Sequence, residues 1–351
     1  MGQQPDTAGA EGIHVSPMSI LVTGGAGYIG SHMVHELTDA GERVVVLDNL
    51  STGFDWAVPR DVPLIIGDAG DQNLVGQILH EHKVDSIIHF AGSLVVPDSV
   101  KDPLGYYKNN TVNSRALIQT AVKNGVRQFI FSSTCAVYGN PAKVPVTEDT
   151  LPAPISPYGW SKLMTEIMLR DAGTAHDLHH VILRYFNVAG ADPRCRTGQS
   201  SKNATQLIKV AVEAALGLRS NLDVYGSDYP TPDGTCIRDY IHVSDLVCAH
   251  SDALRYLRAG GASVTLNCGY GHGFSVCEVV EMVKRVSGID FKVEVARRRP
   301  GDPAKIVAAS DRARIKLGWS PQYDDLATII AHALAWEKKL RRHVSEGRSG
   351  V

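Results

Sequence analysis

Short apolar runs alternate with amphipathic stretches along the first half of this chain, in a regular order. The apolar runs cover residues 20–23, 44–47, 64–66, 86–90, 128–131 and 181–183. Each run is short and mostly aliphatic or aromatic, which is typical of buried strands, whereas the stretches between them space their apolar residues as helices do. Strands that alternate with helices in this way form parallel βαβ units. The pattern therefore predicts an α/β fold built on a doubly wound parallel sheet.

The regular alternation ends after Asn187. Beyond it the pattern predicts a helix ending at 216, further helices at 243–257, 276–286 and 324–343, and strands at 222–225 and 264–267. We expect a first domain at residues 18–187, to which some later segments return, and a smaller C-terminal α/β lid formed mainly by residues 188–351. Residues 1–17 have no apolar core, so we expect a disordered tail there rather than a signal peptide.

Glycines crowd the turn between the first strand and the first helix. They are Gly24, Gly25, Gly27 and Gly30. A turn this tight requires unusual backbone angles, and a Cβ atom there would hold the backbone away from a bound pyrophosphate. The helix that begins near Tyr28 would point its free N–H groups at the same anion.

An acidic residue ends the second strand, about 20 residues beyond these glycines. A carboxylate at this place, Asp48, can accept a hydrogen bond from a ribose 2′-hydroxyl. Asn49 and Leu50 follow it, with no arginine to balance a 2′-phosphate. The strand, glycine turn, helix and second strand therefore predict a Rossmann domain that binds NAD rather than NADP.

Tyr158 and Lys162 lie one helical turn apart and share a helix face. Pro157 fixes the entry to this helix and places Tyr158 in its first turn, near Thr134 at the carboxyl end of the fifth strand. A phenol with its ordinary pKa near 10 is a poor base at neutral pH. We expect the Lys162 ammonium and a positive nicotinamide ring to lower that pKa, and Thr134 to pass a proton between a substrate hydroxyl and Tyr158.

These motifs resemble the extended short-chain dehydrogenase/reductase superfamily and, within it, the UDP-glucose 4-epimerase family. The superfamily features are TGGAGYIGSH, the strand end Ser-Ser-Thr134, the Tyr158 and Lys162 pair, and Arg184-Tyr185-Phe186-Asn187. The narrower family is indicated by DNLSTG from residue 48, HFAG from 89, YYKNN from 106, SPYGWSK from 156, LRYFNVAGA from 183, YGSDYPTPDGTCIRDYIHVSDL from 225 and RRPGDP from 298. The resemblance runs from residue 18 to about residue 336.

The resemblance implies three sets of site residues. The NAD site would be lined by Gly24, Gly27, Tyr28, Ile29, Gly30, Asp48, Asn49, Gly53, Asp68, Ala69, Phe90, Ala91, Gly92, Asn109 and Phe186, with Thr134, Tyr158 and Lys162. The last three would be catalytic, and Thr134 and Tyr158 would also contact the substrate. The UDP group would be held by Asn187, Leu207, Tyr225, Arg238, Arg299 and Asp302. Forked arginine donors suit a diphosphate, and an aromatic ring can flank uracil.

The implied activity is reversible epimerisation at C4 of a UDP-hexose, from UDP-galactose to UDP-glucose. Hydride would pass from the sugar to tightly bound NAD, and the 4-keto sugar would turn over before taking it back. The resemblance also implies a homodimer formed through helices 103–124 and 158–172. Apolar residues at near-helical spacing there fit an interface and fit packing on the sheet equally well; they are Ala116, Leu117, Ala121, Met164, Ile167 and Met168.

Other functions compete with this one. A relative acting on UDP-xylose, UDP-arabinose or UDP-glucuronate would differ only in a few side chains of the pocket. A dehydratase would resemble sites with an Asp-Glu pair after Thr134, where this chain has Cys135 and Ala136. A catalytically silent NAD-binding regulatory protein would not need Tyr158, Lys162 and a nucleotide clamp together.

Two single residues bear on the substrate and the cofactor contacts. The bulk of Ile306 at a pocket-wall position disfavours N-acetylated sugars. Leu94 replaces a lysine that touches the cofactor in some epimerases.

Composition and charge exclude several classes of partner. The net charge is −2 and the basic residues are dispersed, which argues against a nucleic-acid surface. The chain has no run of about 18 apolar residues, so we expect no membrane span. Its six cysteines form no CxxC pair, as is usual for reduced cytoplasmic proteins. The nearby histidines at 176, 179 and 180 lack further ligands in a matching pattern, so we expect no metal site.

Overall fold

The computed structural model describes residues 18–201, 204–299 and 302–345. The tail predicted at residues 1–17 lies outside the described residues. The strands are β1 (Ser19–Thr23), β2 (Val44–Asp48), β3 (Leu64–Ile66), β4 (Val84–His89), β5 (Gln128–Thr134), β6 (His179–Tyr185), β7 (Asn187–Ala189), β8 (Leu222–Tyr225), β9 (Ile237–Arg238), β10 (Tyr240–His242), β11 (Val264–Cys268), β12 (Phe274–Ser275), β13 (Val293–Ala296) and β14 (Lys305–Ile306). The α-helices are α1 (Tyr28–Asp39), α2 (Gln72–Glu81), α3 (Val96–Lys101), α4 (Pro103–Tyr106), α5 (Asn113–Lys123), α6 (Pro157–Ala175), α7 (Leu207–Ala215), α8 (Val243–Arg258), α9 (Val276–Ser287), α10 (Asp311–Leu317) and α11 (Leu326–Ser345).

Within the described residues, seven strands form one parallel sheet in the order β11-β6-β5-β4-β1-β2-β3. Val22 of β1 lies opposite Val46 of β2 on one side and opposite Ile88 of β4 on the other. The chain winds outward from β1 to β3 and then crosses to β4, so the winding direction reverses between β1 and β4. Ligands bind beyond the carboxyl ends of strands at such a switch point. The predicted doubly wound parallel sheet is confirmed.

Successive side chains of the strands enter two apolar cores, one on each face of the sheet. Ile20 and Val22 of β1 belong to the core that α1 and α8 cover, whereas Leu21 belongs to the core that α2, α5 and α6 cover. Because both faces are buried, the strands read as continuous apolar runs instead of alternating with polar residues.

Two later segments pack against the first half of the chain. Strand β11 pairs with β6 at the sheet edge, with Leu266 opposite Leu183, and α8 joins the core beside α1. The other late strands form small sheets, β12-β9-β14, β13-β8 and β10-β7. Residues from these segments close the cleft that opens at the carboxyl end of the main sheet.

The helix predicted over residues 103–124 is continuous but changes its winding. Between α4 and α5, Tyr107–Val112 is π-helical. Such a turn is frequent at functional sites, and here it carries Asn109 and Asn110. Periodicity did not predict α3 or α10 because each is only one to two turns long.

Candidate active site

A cleft of about 1100 Å³ opens at the switch point of the sheet, between the carboxyl ends of the strands and the later half of the chain. With one exception the predicted site residues line it; they are Gly24, Gly27, Tyr28, Ile29, Gly30, Asp48, Asn49, Asp68, Ala69, Phe90, Ala91, Gly92, Asn109, Thr134, Tyr158, Lys162, Phe186, Asn187, Leu207, Tyr225, Arg238, Arg299 and Asp302. The exception is Gly53, where a Cβ atom would stand 2.8 Å from the Ala26 carbonyl oxygen. Gly53 therefore supports the glycine turn from outside the cleft.

The glycine turn is held so close to its neighbours that side chains are excluded. Gly24 has φ +72°, and a Cβ atom on it would stand 2.6 Å from the backbone nitrogen of Ala91. A Cβ atom on Gly30 would stand 2.0 Å from the Gly24 carbonyl oxygen. Gly27 is the N-cap of α1 and has no side chain to occupy the first N–H groups of the helix. This end of α1 therefore suits an anionic group such as a diphosphate.

Asp48 connects the end of β2 to the glycine turn. Its Oδ2 accepts a hydrogen bond from Ala26 N at 2.9 Å, and its Oδ1 accepts one from Leu50 N at 2.8 Å. Each carboxylate oxygen keeps a second lone pair. Asp48 can therefore fix the turn and still accept a hydrogen bond from a ribose hydroxyl.

The π-helical turn fixes the loop after β4 against α6. Asn110 accepts from Ser93 N at 2.7 Å through Oδ1 and donates to Ser161 Oγ at 3.0 Å through Nδ2. Asn109, beside it, donates to Ser93 Oγ at 2.9 Å. The family resemblance predicts Asn109 as a site residue but not Asn110, whose only signal is its place in YYKNN. Leu94, which follows this loop, is exposed at the rim of the cleft.

Tyr158 and Lys162 are held on the cleft side of α6 as expected. Pro157 is the first residue of the helix, and Ser156 caps it by accepting from Gly159 N at 3.2 Å. Both Tyr158 and Lys162 are buried, as is Thr134 at the end of β5. The Lys162 ammonium donates to the Ser132 carbonyl at 3.0 Å.

The expected lowering of the phenol pKa is not found in the protein by itself. Burial raises the pKa of Tyr158 above its ordinary value, and the nearby Tyr185 adds to this, whereas a hydrogen bond with Thr134 works in the opposite direction. Burial lowers the pKa of Lys162 to about 8, which Glu166 partly offsets. Because desolvation outweighs the neighbouring side chains, formation of the phenolate requires a further positive charge next to it.

Aromatic and basic side chains converge at the other end of the cleft. The Arg299 guanidinium lies 3.7 Å from the centre of the Tyr225 ring. Arg238 of β9 lies 3.8 Å from an Asp302 carboxylate oxygen. Asn187 begins β7, and its backbone N–H donates to the Asp239 carbonyl at 2.9 Å. A guanidinium stacked on an aromatic ring, with a second guanidinium in the same cleft, can bind a diphosphate attached to a planar base.

Contacts between distant segments of the chain hold the wall of the cleft together. Tyr28, which was selected, donates from its hydroxyl to the Gly190 carbonyl at 2.7 Å and so connects α1 to the loop after β7. A buried ion pair between Lys209 and Glu337 joins α7 to α11 in the wall. These pairings join residues far apart in the chain, so periodicity does not reveal them.

Other kinds of site are absent from residues 18–201, 204–299 and 302–345. No cluster of three or more His, Cys, Asp or Glu side chains there could hold a metal ion. In the same ranges, no helix is long and apolar enough to cross a membrane. The six cysteines are all free thiols.

Comparison with known proteins agrees with this geometry. The model of the NAD dependent epimerase/dehydratase family matches residues 20–269. The chain belongs to that family. Among curated members of the epimerase/dehydratase family, the UDP-glucose 4-epimerase of Azospirillum brasilense is 57% identical over 327 residues, covering 93% of this chain and 94% of that relative.

Solved structures extend the likeness to the whole fold. The UDP-glucose 4-epimerase of Brucella ovis in complex with NAD is 43% identical, with a TM-score of 0.88, over 91% of this chain and 98% of that one. The enzyme of Bifidobacterium longum in complex with NAD+ and UDP is 35% identical, with a TM-score of 0.87, over 92% and 98% of the two chains. This member of the epimerase/dehydratase family therefore has the fold of solved epimerases across most of its length.

Proposed function

We propose that this protein is an NAD-dependent UDP-glucose 4-epimerase, an isomerase that interconverts UDP-galactose and UDP-glucose. The observation that carries the proposal is one cleft that combines Tyr158 and Lys162 on a single helix face with the glycine turn and the Tyr225 and Arg299 stack. A protein that only bound NAD would not need a buried tyrosine beside a nucleotide clamp. A dehydratase would need an acid and base where this chain has Cys135 and Ala136.

The glycine turn, Asp48 and the buried catalytic side chains fit NAD. The turn would bring backbone N–H groups to the diphosphate, and Asp48, whose Oδ2 accepts from Ala26 N, would accept a further hydrogen bond from a ribose hydroxyl. NAD, when bound, would supply the acceptor for the hydride of sugar C4 and the donor for its return. Its oxidised ring also carries the positive charge that the buried Tyr158 phenolate requires. The other predicted NAD-site residues that line the cleft would complete the cofactor site, and Gly53 would act through the glycine turn.

Tyr158 acts as the base of the reaction. Its phenolate accepts the proton of the 4-hydroxyl while the C4–H bond breaks, and returns this proton when the sugar is reduced on its other face. Thr134, whose side chain favours the ionised form of Tyr158, passes the proton between the sugar 4-hydroxyl and Tyr158. Lys162 stabilises the phenolate by its charge. General acid and base catalysis of this kind contributes about 10²–10⁴ in rate.

The UDP group is held tightly so that the sugar can be held loosely. Arg238 and Arg299 bind the diphosphate, Tyr225 flanks the uracil, and further contacts come from Asn187, Leu207 and Asp302. A pocket matched to one hydroxyl pattern would trap the 4-keto sugar before it turned over, so binding energy is best placed remote from C4. In domain terms, residues 18–187 with α8 and β11 form the NAD-binding domain, and the remaining later segments form most of the UDP-sugar domain.

The chain acts as a homodimer in the cytoplasm. The outer face of α6 exposes an apolar stripe of Trp160, Met164 and Ile167, and Val112 is exposed on the π-helical turn. A second copy would cover these side chains by forming a four-helix bundle. Leu117 and Ala121, also candidates for this role, pack inside the core. Free cysteines are typical of a reducing compartment.

Replacing Ile167 with aspartate should break the homodimer, because the interface would bury an unpaired charge. Sedimentation velocity of the wild-type protein should give twice the 37.9 kDa chain mass, and that of the variant should give the chain mass. The matched control is Arg170→Asp, which places the same side chain at an exposed position of α6 one turn beyond the stripe and should leave the dimer intact. A wild-type protein that sediments as a monomer would contradict the homodimer.

The epimerase activity is tested by a proton NMR time course with UDP-galactose and no added NAD. We expect conversion to a mixture with UDP-glucose, because the cofactor is regenerated in each cycle and stays bound through purification. No conversion, even after NAD is added, would refute the proposal. UDP-pentoses and UDP-uronates would then be the substrates to assay.

A further inference from the structure

A buried ion pair lies directly behind the catalytic helix face and has no role in the mechanism above. Glu166 follows Lys162 by one turn of α6, and its carboxylate is completely buried. Its Oε1 accepts from Arg184 Nε at 2.9 Å, and its Oε2 accepts from Arg184 Nη2 at 2.5 Å. Ser133 Oγ also donates to Oε1, at 2.5 Å. A forked pair with a third donor is among the strongest arrangements of hydrogen bonds to a carboxylate.

The elements that the pair connects are those that carry the proposed catalytic groups. Glu166 lies on the helix of Tyr158 and Lys162, and Ser133 directly precedes Thr134 on β5. Arg184 of β6 lies opposite Ser133 in the sheet. Its Nη1 also donates to Tyr138 Oη at 3.0 Å.

We propose that Glu166 is a positioning residue of the reaction, whose buried carboxylate keeps the Lys162 ammonium charged behind Tyr158 and fixes α6 to the ends of β5 and β6. This rests on the proposed function. The groups that face Lys162 support the assignment. His89 of β4 is kept neutral by burial, which lowers its pKa to about 3. The β5 partners are the Ser132 carbonyl and the Phe131 ring, which lies 5.0 Å away.

Glu166 is thus the carboxylate one turn from Lys162 on α6, and the Arg184 guanidinium bonded to it on β6 carries the opposite charge. Burial lowers the pKa of Lys162 to about 8, and Glu166 is the charge that acts in the opposite direction. Tyr158, on the same face, becomes negative only when it has lost its proton. Removing the carboxylate should therefore let Lys162 lose its proton at lower pH and withdraw the charge that stabilises the phenolate.

The test compares Glu166→Gln with the double variant Glu166→Gln/Arg184→Gln. The single change leaves Arg184 buried without its partner and can prevent folding, whereas replacing both members of a buried pair is often tolerated. The first readout is the pH profile of kcat for UDP-galactose. Activity requires charged Lys162, so in the variants that lack the Glu166 carboxylate the alkaline limb of the pH profile should move to lower pH by about one unit. A charge–charge interaction of about 1.4 kcal/mol produces a shift of this size. Glu166→Asp, which keeps the charge, should restore the limb toward the wild-type position.

The second readout does not depend on activity. The Cε carbon of Lys162, labelled with ¹³C and assigned with Lys162→Arg, reports its titration by NMR. The midpoint should fall in the double variant, because the carboxylate one turn away on α6 acts on the pKa of Lys162 more strongly than the Arg184 guanidinium on β6. The control is Asp245→Asn, which removes a buried carboxylate that bonds Tyr270, Gln322 and Tyr323; it should lower stability without moving the limb or the midpoint. A double variant with an unmoved midpoint would overturn the proposal, whereas a wild-type protein that does not epimerise would overturn the proposed function alone.

Discussion

Replacing Gly30 with alanine should weaken the fold and the cofactor site, although alanine is the better helix former. A Cβ atom at Gly30 would stand 2.0 Å from the Gly24 carbonyl oxygen and 2.8 Å from the Gly25 Cα atom. These are backbone atoms of the glycine turn, so they cannot rotate away as a side chain could. Alanine gains about 0.5–1 kcal/mol in a helix, whereas overpacking costs about 1–3 kcal/mol. The steric cost therefore exceeds the gain.

The matched control is Gly76→Ala in the middle of α2. Its new Cβ atom would have its nearest neighbour at 3.9 Å, the Cγ2 atom of Thr120. At about 2.1 cal/mol/K of unfolding entropy per residue, 1 kcal/mol changes the Tm of this chain of 351 residues by about 1.4 °C. Gly76→Ala should raise the Tm by about 1 °C. For Gly30→Ala the helix gain offsets part of the steric cost, so the Tm should fall by up to about 3 °C.

Two measurements on the same preparations decide the outcome. Differential scanning calorimetry gives the Tm, and NAD released by denaturation gives the bound fraction per chain. Because the displaced turn would approach the diphosphate, Gly30→Ala should also lose NAD during purification while Gly76→Ala keeps it. A Gly30→Ala protein as stable and as loaded with NAD as the control would refute the steric account of the turn.

Three further predictions concern the catalytic, nucleotide and buried histidine groups. Tyr158→Phe should keep its NAD and lose about 10²–10⁴ in kcat, measured by NMR turnover and NAD content; retained turnover would exclude Tyr158 as the base. Arg299→Ala should raise the KM for UDP-galactose at least about tenfold, the equivalent of 1.4 kcal/mol. The control Arg312→Ala, at an exposed arginine, should leave the KM unchanged. Equal KM values in the two variants would show that Arg299 does not bind the UDP group. Burial lowers the pKa of His89 to about 3 in the folded chain, so the unfolded chain binds protons below about pH 6.5 that the folded chain does not. Neutral His89 therefore contributes its full stability above about pH 6.5, and this contribution is lost as the pH falls toward 3. The Tm of the wild-type protein should fall between pH 7 and pH 5. The Tm of His89→Gln should fall less steeply over the same range.

The apolar runs in the sequence predicted most of the strands that are buried in the fold. The bounds of β3 and β8 match the predicted ranges, and β1, β2 and β5 differ from theirs by at most three residues, because an apolar run between turn signals reports burial in a parallel sheet directly. Strands β9, β12 and β14 have two residues each. A segment of that length has no period, and it is a strand only because a distant partner pairs with it.

The residues of the candidate site also fall into those that local spacing predicts and those that it does not. The glycine turn, Asp48 and Tyr158 with Lys162 could be selected because each depends on spacing within one βαβ unit or one helix. The pairing of Arg184 with Glu166 could not be predicted, because the two residues lie on different elements. The lowering of the Tyr158 pKa by Lys162 together with a bound nicotinamide ring stays a prediction. Spacing reports the nearby lysine and not the desolvation that raises this pKa in the chain without a cofactor.

The central claim is that C4 of the sugar is oxidised and reduced within one binding event, through hydride held by bound NAD. UDP-galactose carrying deuterium at C4, incubated with the purified protein in ordinary water, tests this most directly by NMR of the product. The account predicts UDP-glucose that keeps the deuterium at C4, because the same hydride returns to the opposite face of the sugar. Product with solvent hydrogen at C4 would contradict it.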